Sequence, residues 1–158
     1  MKEDYRDLGA DEIDALIGNH DAHAKNLSLL YLGKEPDKTP VLAPFYDALS
    51  TAVYPTLTPK MAMKIGSKYQ FSEVQARHWE QFAEGVGLAR APAKRRILAL
   101  AKSLPPTALE LRSDSGHGFA GNTVAERIIA LIEQRCALTI RRLTDPTADS
   151  AAATEPSA

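Results

Sequence analysis

Cysteine is nearly absent from this chain of 158 residues, in which Cys136 is the only one. One thiol cannot form an intrachain disulfide, so the sequence excludes a disulfide-stapled secreted scaffold and favours a reducing compartment. Long apolar runs are also missing, since no stretch approaches the roughly 18 residues of a membrane span. The first residues, Met1 to Asp4, are too polar for a signal peptide. We therefore expect a cytoplasmic protein with no membrane segment.

An excess of charge of one sign is lacking as well. Lys and Arg together number 19, Asp and Glu number 20, and the net charge is −1. Such a balance gives no general attraction to nucleic acid, and we expect no direct nucleic-acid binding. Hydrophobic residues make up 44% and charged residues 25%, which is typical of a globular protein. The length indicates one domain or a large part of one.

The spacing of apolar residues predicts a mainly helical domain, residues 1–144, with one small β-hairpin. Residues 145–158 show no periodicity and are predicted to be a disordered tail. The hairpin is predicted from strands at 27–32 and 41–43, with a turn from Gly33 to Pro40 between them. A loop rich in Pro, Thr and Lys is predicted for residues 50–70.

Four helices are predicted around this hairpin. They cover residues 4–17, a segment that starts with the capping-box pattern Ser72 to Gln75, a segment from Pro92 to Pro105-Pro106, and a segment that starts with a second capping-box pattern at Thr123. Gly18-Asn19 is predicted to end the first helix with a left-handed residue. Val74, Trp79, Phe82 and Val86 form the apolar face of the second helix and are predicted to be core residues.

Chemistry-bearing residues concentrate in the stretch GNHDAHAKN, which places Asp21 and Asn26 at D-x-x-x-x-N spacing. Asp47 follows 21 positions after Asn26. Phosphoryl transfer by kinases needs one carboxylate to accept the substrate proton, and an amide oxygen plus a second carboxylate to hold Mg²⁺ on ATP. The predicted hairpin places Asn26 at its entry and Asp47 just past its exit, which brings the two together. In the alternative interpretation, Asp21 and Asn26 only bond local backbone in a turn.

GNHDAHAKNLSLLY followed by LAPFYDALSTAVYP resembles the C-terminal lobe of HipA-like toxin kinases, which are serine/threonine-type kinases of bacterial toxin–antitoxin modules. The later stretch MAMKIGSKYQFSEVQARHW is similar to the continuation of that family. The resemblance implies that Asp21 is the catalytic base and that Asn26 and Asp47 are the Mg²⁺ ligands. It also implies that Lys25 and Asn26 contact the bound nucleotide, and that His23 orients or neutralises the transferred phosphate.

The same resemblance implies the C-lobe of a protein-kinase-like fold and Mg-ATP-dependent phosphorylation of a protein hydroxyl. It points to an aminoacyl-tRNA synthetase, glutamyl-tRNA synthetase, as a type of substrate and to a helix-turn-helix antitoxin as a partner. Family members carry a further N-terminal region with a phosphate-covering loop and an ATP-contacting Lys, and nothing before Gly18 fits either part. We therefore expect a fragment, a truncated product or one half of a split kinase, inactive without the other half.

Other interpretations stay open from the sequence. The chain is, in one of them, a non-catalytic remnant that binds an antitoxin or a substrate protein. In another, His20, Asp21, His23 and Asp47 form the transition-metal site of a metal-dependent hydrolase, because histidine is a good ligand for such metals. The segment Gly116–Gly121 fits G-x-G-x-x-G, but no convincing strand precedes it, and we predict a loop there.

Overall fold

The computed structural model describes residues 8–23, 26–33, 39–114, 116 and 118–145. In these ranges the chain forms four α-helices and four short β-strands. They are α1 (Leu8–Ile17), β1 (Leu29–Leu32), β2 (Thr39–Leu42), β3 (Lys60–Ile65), β4 (Lys68–Gln70), α2 (Ala76–Gly85), α3 (Arg90–Ser113) and α4 (Thr123–Thr144). The mainly helical architecture is confirmed. The described helices include none that combines the length and apolarity needed to cross a membrane.

Helix α1 ends where the sequence predicts, at Gly18, which has a φ of +83°. The backbone N–H groups of Gly18 and Asn19 both donate to the carbonyl of Asp14, at 3.0 and 2.8 Å. A Cβ at Gly18 would lie 2.7 Å from Leu131 Cδ2 and 2.9 Å from Ala52 Cβ. Glycine is therefore required here for both its left-handed backbone and its close contact with α4.

Strands β1 and β2 form the predicted antiparallel hairpin, with Leu29 opposite Leu42 and Leu32 opposite Thr39. Strand β1 begins two residues later than predicted and ends where predicted, while β2 begins two residues earlier and ends one residue earlier. The hydrogen bond from Ala43 N to Ser28 O continues the pairing at 2.7 Å. The hairpin therefore starts close to Asn26 and ends close to Asp47, as predicted.

The prediction of a loop over residues 50–70 is wrong, because β3 and β4 form a second antiparallel hairpin there. Met61 and Ile65 of β3 are buried, whereas Lys60 and Lys64 are exposed. The strand thus has one core face, but its lysines and the Pro- and Thr-rich segment before it conceal the pattern in the sequence. Ala62 N donates to His20 O at 2.8 Å, so this hairpin also supports the residues around Asp21.

The predicted start of α2 is wrong by one turn. Ser72 lies in a 3₁₀ turn, Phe71–Glu73, and the helix begins at Ala76 with Gln75 as its N-cap residue. The ring of His78 accepts a hydrogen bond from the backbone N–H of Gln75 at 2.9 Å through Nδ1. His78 is buried, so its ring stabilises the helix start from inside the domain.

Helices α3 and α4 also depart from their predicted ends. Helix α3 continues past Pro105 and Pro106 to Ser113, although proline removes a helical N–H donor. Leu104 and Ala108, on the turns around the prolines, pack against the core and offset that loss. Helix α4 is capped by Asn122 rather than by Thr123, since Asn122 Oδ1 accepts from Val124 N and Ala125 N at 2.9 and 3.1 Å.

The hydrophobic core lies where the four helices α1 to α4 meet and includes β3. The predicted apolar face of α2 is buried within it. Trp79 and Phe82 are 3% and 8% exposed, and their rings meet edge to face with centroids 6.3 Å apart. The predicted tail begins at Asp145, the C-cap residue of α4, and residues 146–158 lie outside the described part of the chain.

Candidate active site

The side chain of Asn26 joins the two halves of the predicted site. Its Nδ2 donates to Asp47 Oδ2 at 3.0 Å and to the backbone carbonyl of Asp21 at 3.3 Å. The loop from α1 to β1 and the segment after β2 therefore meet at one amide group. The structure brings together the three residues that the D-x-x-x-x-N spacing and the hairpin predict.

Asp47 has an unusual backbone conformation. Its φ of +59° makes it the one non-glycine residue in the left-handed region within the described ranges. Aspartate and asparagine tolerate this region better than most residues, and residues held there often lie at functional sites. The carboxylate is exposed, so an incoming cation can reach it.

Asp21 and His23 form an exposed pair, with 3.0 Å between Asp21 Oδ1 and His23 Nε2. The contact links the predicted base to the residue predicted to orient the phosphate. Asp21 presents its carboxylate to solvent in the loop between α1 and β1, where a substrate hydroxyl can approach it. Lys25, predicted to contact the nucleotide, lies outside the described residues.

Asn19 lies at the centre of the hydrogen bonds beneath these residues and is only 3% exposed. Its Nδ2 donates to Asp14 Oδ1 at 2.8 Å and to the backbone carbonyl of Asp47 at 3.1 Å. Its Oδ1 accepts from the backbone N–H of Asp21 at 3.1 Å. From the sequence, Asn19 is predicted only to help end α1. Its position two residues before Asp21 was the signal in the sequence that Asn19 could also support the site.

Asp14 is a buried acid that was not among the predicted site residues. It is 7% exposed, and burial raises its pKa to about 6, although the hydrogen bond from Asn19 opposes the shift. The charges of Asp11 and Asp47 raise the pKa further. An acid between apolar residues in the run Ile13 to Ile17 was the sequence signal for it.

The segment that follows Asp47 is fastened to the end of α1. Ser50 Oγ donates to Ile17 O at 2.7 Å, and Ala52 N donates to Gly18 O at 2.9 Å. The backbone N–H of His20 donates to Thr51 Oγ1 at 2.8 Å. These bonds cross 31 to 34 positions of sequence and hold the two site segments in one orientation.

His20 turns away from the other predicted metal ligands. Its Nδ1 lies 3.0 Å from the carbonyl of Thr58, and its Nε2 lies 2.8 Å from Arg135 Nη2. A carbonyl only accepts and a guanidinium only donates, so the ring is neutral with its proton on Nδ1. Burial lowers the pKa of His20, and the charge of Arg135 lowers it further, although the hydrogen bond to Thr58 opposes them.

The hydrolase interpretation is therefore wrong for this structure, because His20 does not join Asp21, His23 and Asp47. Over the described ranges, no three His, Cys, Asp or Glu side chains form a group that could hold a metal. The oxygen atoms of Asn26 and Asp47 are a smaller set, and they suit Mg²⁺, which binds through one or two protein ligands together with phosphate and water. With Nδ2 of Asn26 directed at Asp47, Oδ1 is the atom of this amide that can serve as a ligand.

Arg135 of α4 connects this helix to α1 and to Phe71, in the short turn before α2. Its Nη1 donates to Ala15 O at 2.7 Å, and its guanidinium lies over the ring of Phe71, 4.4 Å from the centroid. Burial lowers its pKa to about 10, so it stays charged at neutral pH.

The segment Gly116–Gly121 lies after helix α3 and before α4, so the predicted loop is confirmed there, with His117 outside the described residues.

The family of the chain follows from comparison with known sequences. The family model for the HipA-like C-terminal domain matches residues 12–108, more than half of the chain. This range contains Asp21, Asn26 and Asp47 together with the hairpin that connects them.

Two curated relatives agree with this match. The protein named "Putative kinase Y4mE" from Sinorhizobium fredii is 40% identical over 108 residues, which are 68% of this chain and 25% of that protein. The serine/threonine-protein kinase toxin HipA of Shewanella oneidensis is 30% identical over 98 residues, which are 61% of this chain and 21% of that protein. The chain thus spans about a quarter of the length of these relatives.

The fold agrees with a solved structure as well. HipA of Shewanella oneidensis MR-1, solved in complex with HipB and its operator DNA, matches with a TM-score of 0.70 and 21% identity. The match covers 94% of this chain and 33% of that one. The resemblance inferred from the sequence is confirmed, and the chain belongs to the HipA-like C-terminal domain family.

Proposed function

We propose that this chain carries the catalytic part of a HipA-like kinase that transfers the γ-phosphoryl group of ATP to a protein serine or threonine. The observation that supports this most directly is the meeting of Asn26, Asp47 and the Asp21 backbone at one amide, over 3.0 and 3.3 Å. A base and two oxygen ligands on adjoining segments are the parts that this chemistry requires.

Asp21 is the residue that accepts the proton of the substrate hydroxyl. His23 binds its Oδ1 and holds the carboxylate in one orientation, and we assign Oδ2 to the substrate. Asp47 and Oδ1 of Asn26 would hold Mg²⁺, which would supply positive charge to neutralise the phosphate oxygens of ATP. The left-handed backbone of Asp47 directs its carboxylate toward Asn26, so both ligands are in place before the nucleotide binds.

Efficient transfer requires further contacts to the ATP phosphates. Correct placement of the γ-phosphate is the main source of rate in this chemistry, and kinases obtain it from a Lys and a glycine-rich loop as well as from the metal. In this proposal, no segment of the described residues takes the role of that glycine-rich loop. In this proposal, the chain alone binds Mg-ATP weakly and transfers phosphate negligibly. The N-terminal part of a HipA-family kinase completes the site, in the same chain or as a second one.

The partners in this proposal are a protein substrate, for which an aminoacyl-tRNA synthetase is the type implied by the family, and a helix-turn-helix antitoxin. Support for an antitoxin comes from the HipA neighbour, which was solved with HipB and operator DNA. The near-neutral charge of this chain, −1, favours contact with DNA through such a partner rather than directly.

A binding module without catalytic activity is the second candidate. It is favoured by apolar side chains exposed on and after the first hairpin, among them Tyr31, Leu32 and Leu49. A monomer seldom exposes contiguous apolar groups without a partner to cover them. This candidate needs the surface but none of the chemistry of Asp21.

A phosphoryl-transfer assay separates the two candidates. The chain is tested alone and mixed with the N-terminal part of a HipA-family kinase, with labelled ATP and a protein substrate. We expect transfer only by the pair, and a loss of at least about 100-fold for Asp21→Asn, because the amide cannot accept the proton. Asp114→Asn, in the loop after α3, is the matched control and should leave transfer unchanged.

The other outcomes are equally informative. Strong transfer by the isolated chain that depends on Asp21 would contradict the need for a second part. No transfer by a pair that folds and associates would reject the kinase proposal and favour the binding module.

A further inference from the structure

The side-chain amide of Asn19 makes three hydrogen bonds beneath the site. One amide proton goes to the Asp14 carboxylate at 2.8 Å, and the other goes to the Asp47 carbonyl at 3.1 Å. The amide oxygen takes the N–H of Asp21 at 3.1 Å. One rigid, buried side chain thus connects the end of α1 with the backbone of the proposed base and the backbone of the proposed metal ligand.

We propose that Asn19 is a positioning residue that sets the separation of Asp21 and Asp47, with Asp14 fixing the orientation of its amide. The inference rests on the proposed function, since it concerns the same two residues. Asn19 acts through backbone atoms and touches neither substrate nor metal. Its effect is therefore on where the two carboxylates stand.

The anchor of this arrangement is the C-terminal turn of α1. The carbonyl of Asp14 accepts from Gly18 N and Asn19 N, while its carboxylate accepts from Nδ2 of Asn19. Asp14 therefore holds both the backbone and the side chain of Asn19. Because a charge-assisted hydrogen bond is stronger than a neutral one, the Asp14 carboxylate determines which end of the amide faces α1.

The bonds made by Asn19 reach the two segments that flank the β1–β2 hairpin. Asp21 is two positions away and Asp47 is 28 positions away. Without the amide, the segment around Asp47 keeps its bonds from Ser50 and Ala52, and the Asp21 N–H loses its described partner. A misplacement of about 1 Å in a catalytic group can lower a rate by roughly 100-fold.

The test compares Asn19→Ala with Asn122→Ala in the ¹⁵N-labelled chain. Asn122 is a suitable control because its side-chain oxygen, like that of Asn19, accepts from the backbone; its partners are the N–H groups of Val124 and Ala125 at the start of α4. By solvent-exchange NMR we expect Asn19→Ala to speed the exchange of Asp21 N–H by about tenfold or more, and to leave the amides of Val124 and Ala125 unchanged. Asn122→Ala should do the reverse.

Metal affinity is a second readout of the positioning role. In a variant that stays folded, a general loss of stability does not change it. Mn²⁺, used as a paramagnetic probe for Mg²⁺, should broaden the resonances of Asn26 and Asp47 in the wild-type chain. We expect Asn19→Ala to weaken this binding by roughly tenfold and Asn122→Ala to change it less than about twofold. In the reconstituted pair, kcat should fall by about 100-fold with Asn19→Ala.

The double variant Asp14→Asn with Asn19→Asp covers the case in which Asn19→Ala does not fold. The exchange keeps a donor and an acceptor between positions 14 and 19 and keeps an oxygen for Asp21 N–H, but it removes the donor to Asp47 O. We expect wild-type exchange at Asp21 together with weakened Mn²⁺ binding.

These results also separate the inference from the function on which it rests. Unchanged exchange at Asp21 in Asn19→Ala, or unchanged Mn²⁺ affinity in both variants, would overturn the positioning role. Failure of the wild-type chain to bind Mn²⁺, together with no transfer by the pair, would reject the kinase function. The exchange data would then still decide whether Asn19 holds Asp21.

Discussion

The two β-hairpins of this domain differ in how far their apolar side chains are buried. The first, β1–β2, carries Asn26 and Asp47 at its ends and exposes most of its apolar side chains, with Tyr31 at 62%. The second, β3–β4, buries Met61 and Ile65 in the core. Both contribute to the same site, since Ala62 N of the second hairpin binds His20 O. The domain thus places its chemistry on a weakly packed hairpin and supports it from a well-packed one.

The difference suggests a division of labour. The packed half, formed by β3–β4 and helices α2 to α4, supplies stability. The exposed half, formed by β1–β2 and the loops around Asp21 and Asp47, has few buried apolar contacts and supplies the functional groups. Asp14 and Asn19 lie at the boundary, where polar groups are buried to hold the exposed half in place.

The largest effect on stability is expected in the packed half. Trp79→Ala removes a buried ring that meets Phe82 edge to face, and it should lower the free energy of unfolding by about 3–5 kcal/mol. Urea unfolding followed by circular dichroism measures this loss. Phe82→Leu should give a smaller loss that stays measurable if Trp79→Ala does not fold. A cost below about 1 kcal/mol would show that this face is not packed as described.

A smaller and pH-dependent effect is expected at Asp14. Its pKa of about 6 in the folded chain lies above the ordinary 3.8, so the folded state binds the proton more tightly. The stability that this group contributes is therefore complete below about pH 4 and is lost as the pH rises through 6. Asp14→Asn keeps a hydrogen-bonding oxygen for Asn19 but carries no charge to bury.

We therefore expect Asp14→Asn to exceed the wild type in unfolding free energy by about 2–3 kcal/mol at pH 7.5, and to match it near pH 4. Denaturant titrations at both pH values measure the difference. Glu133→Gln, which replaces an exposed acid of α4, is the control variant in the same titrations. An Asp14→Asn variant that is less stable at pH 7.5 would mean that the charge is stabilised by its surroundings.

At Asp47 the expected effect is on metal binding rather than on stability. Asparagine tolerates a φ of +59° as well as aspartate does, so Asp47→Asn should keep the backbone and change the unfolding free energy by less than about 0.5 kcal/mol. Loss of the carboxylate charge should weaken Mn²⁺ binding by roughly tenfold. Isothermal titration calorimetry of Asp47→Asn beside Asp114→Asn measures this, and equal affinities would remove Asp47 from the proposed site.

The position of the site could be predicted from the sequence because its signals are local. Asp21 and Asn26 share one loop, and the hairpin that joins Asn26 to Asp47 follows from two short apolar runs and a turn. In the structure the Asn26 amide binds the Asp47 carboxylate and the backbone carbonyl of Asp21. Their roles in catalysis stay predictions, to be decided by the transfer assay.

The features that the sequence did not reveal depend on contacts distant in the chain. The bond from Asn19 to Asp47 spans 28 positions, and the one from Arg135 to His20 spans 115. Neither leaves a periodic pattern. Strand β3 was missed because burial on one face of a short lysine-containing strand depends on the helices beneath it. Helix α3 passes through Pro105-Pro106 because packing of the neighbouring turns outweighs local preference.

The smallest effect on stability is expected on the exposed hairpin itself. Tyr31→Ser removes a side chain that is 62% exposed, so the unfolding free energy of the isolated chain should change by less than about 0.5 kcal/mol. Tyr69→Ser on β4, where the tyrosine is 49% exposed, is the matched control from the second hairpin. If the exposed hairpin binds the N-terminal part of a HipA-family kinase, Tyr31→Ser should weaken that association by about tenfold or more. Tyr69→Ser should not weaken it, as measured by titration calorimetry of the pair.

A loss of stability above about 1 kcal/mol in Tyr31→Ser would show that β1–β2 belongs to the core after all. Equal weakening by both variants would show that the partner does not distinguish the two hairpins.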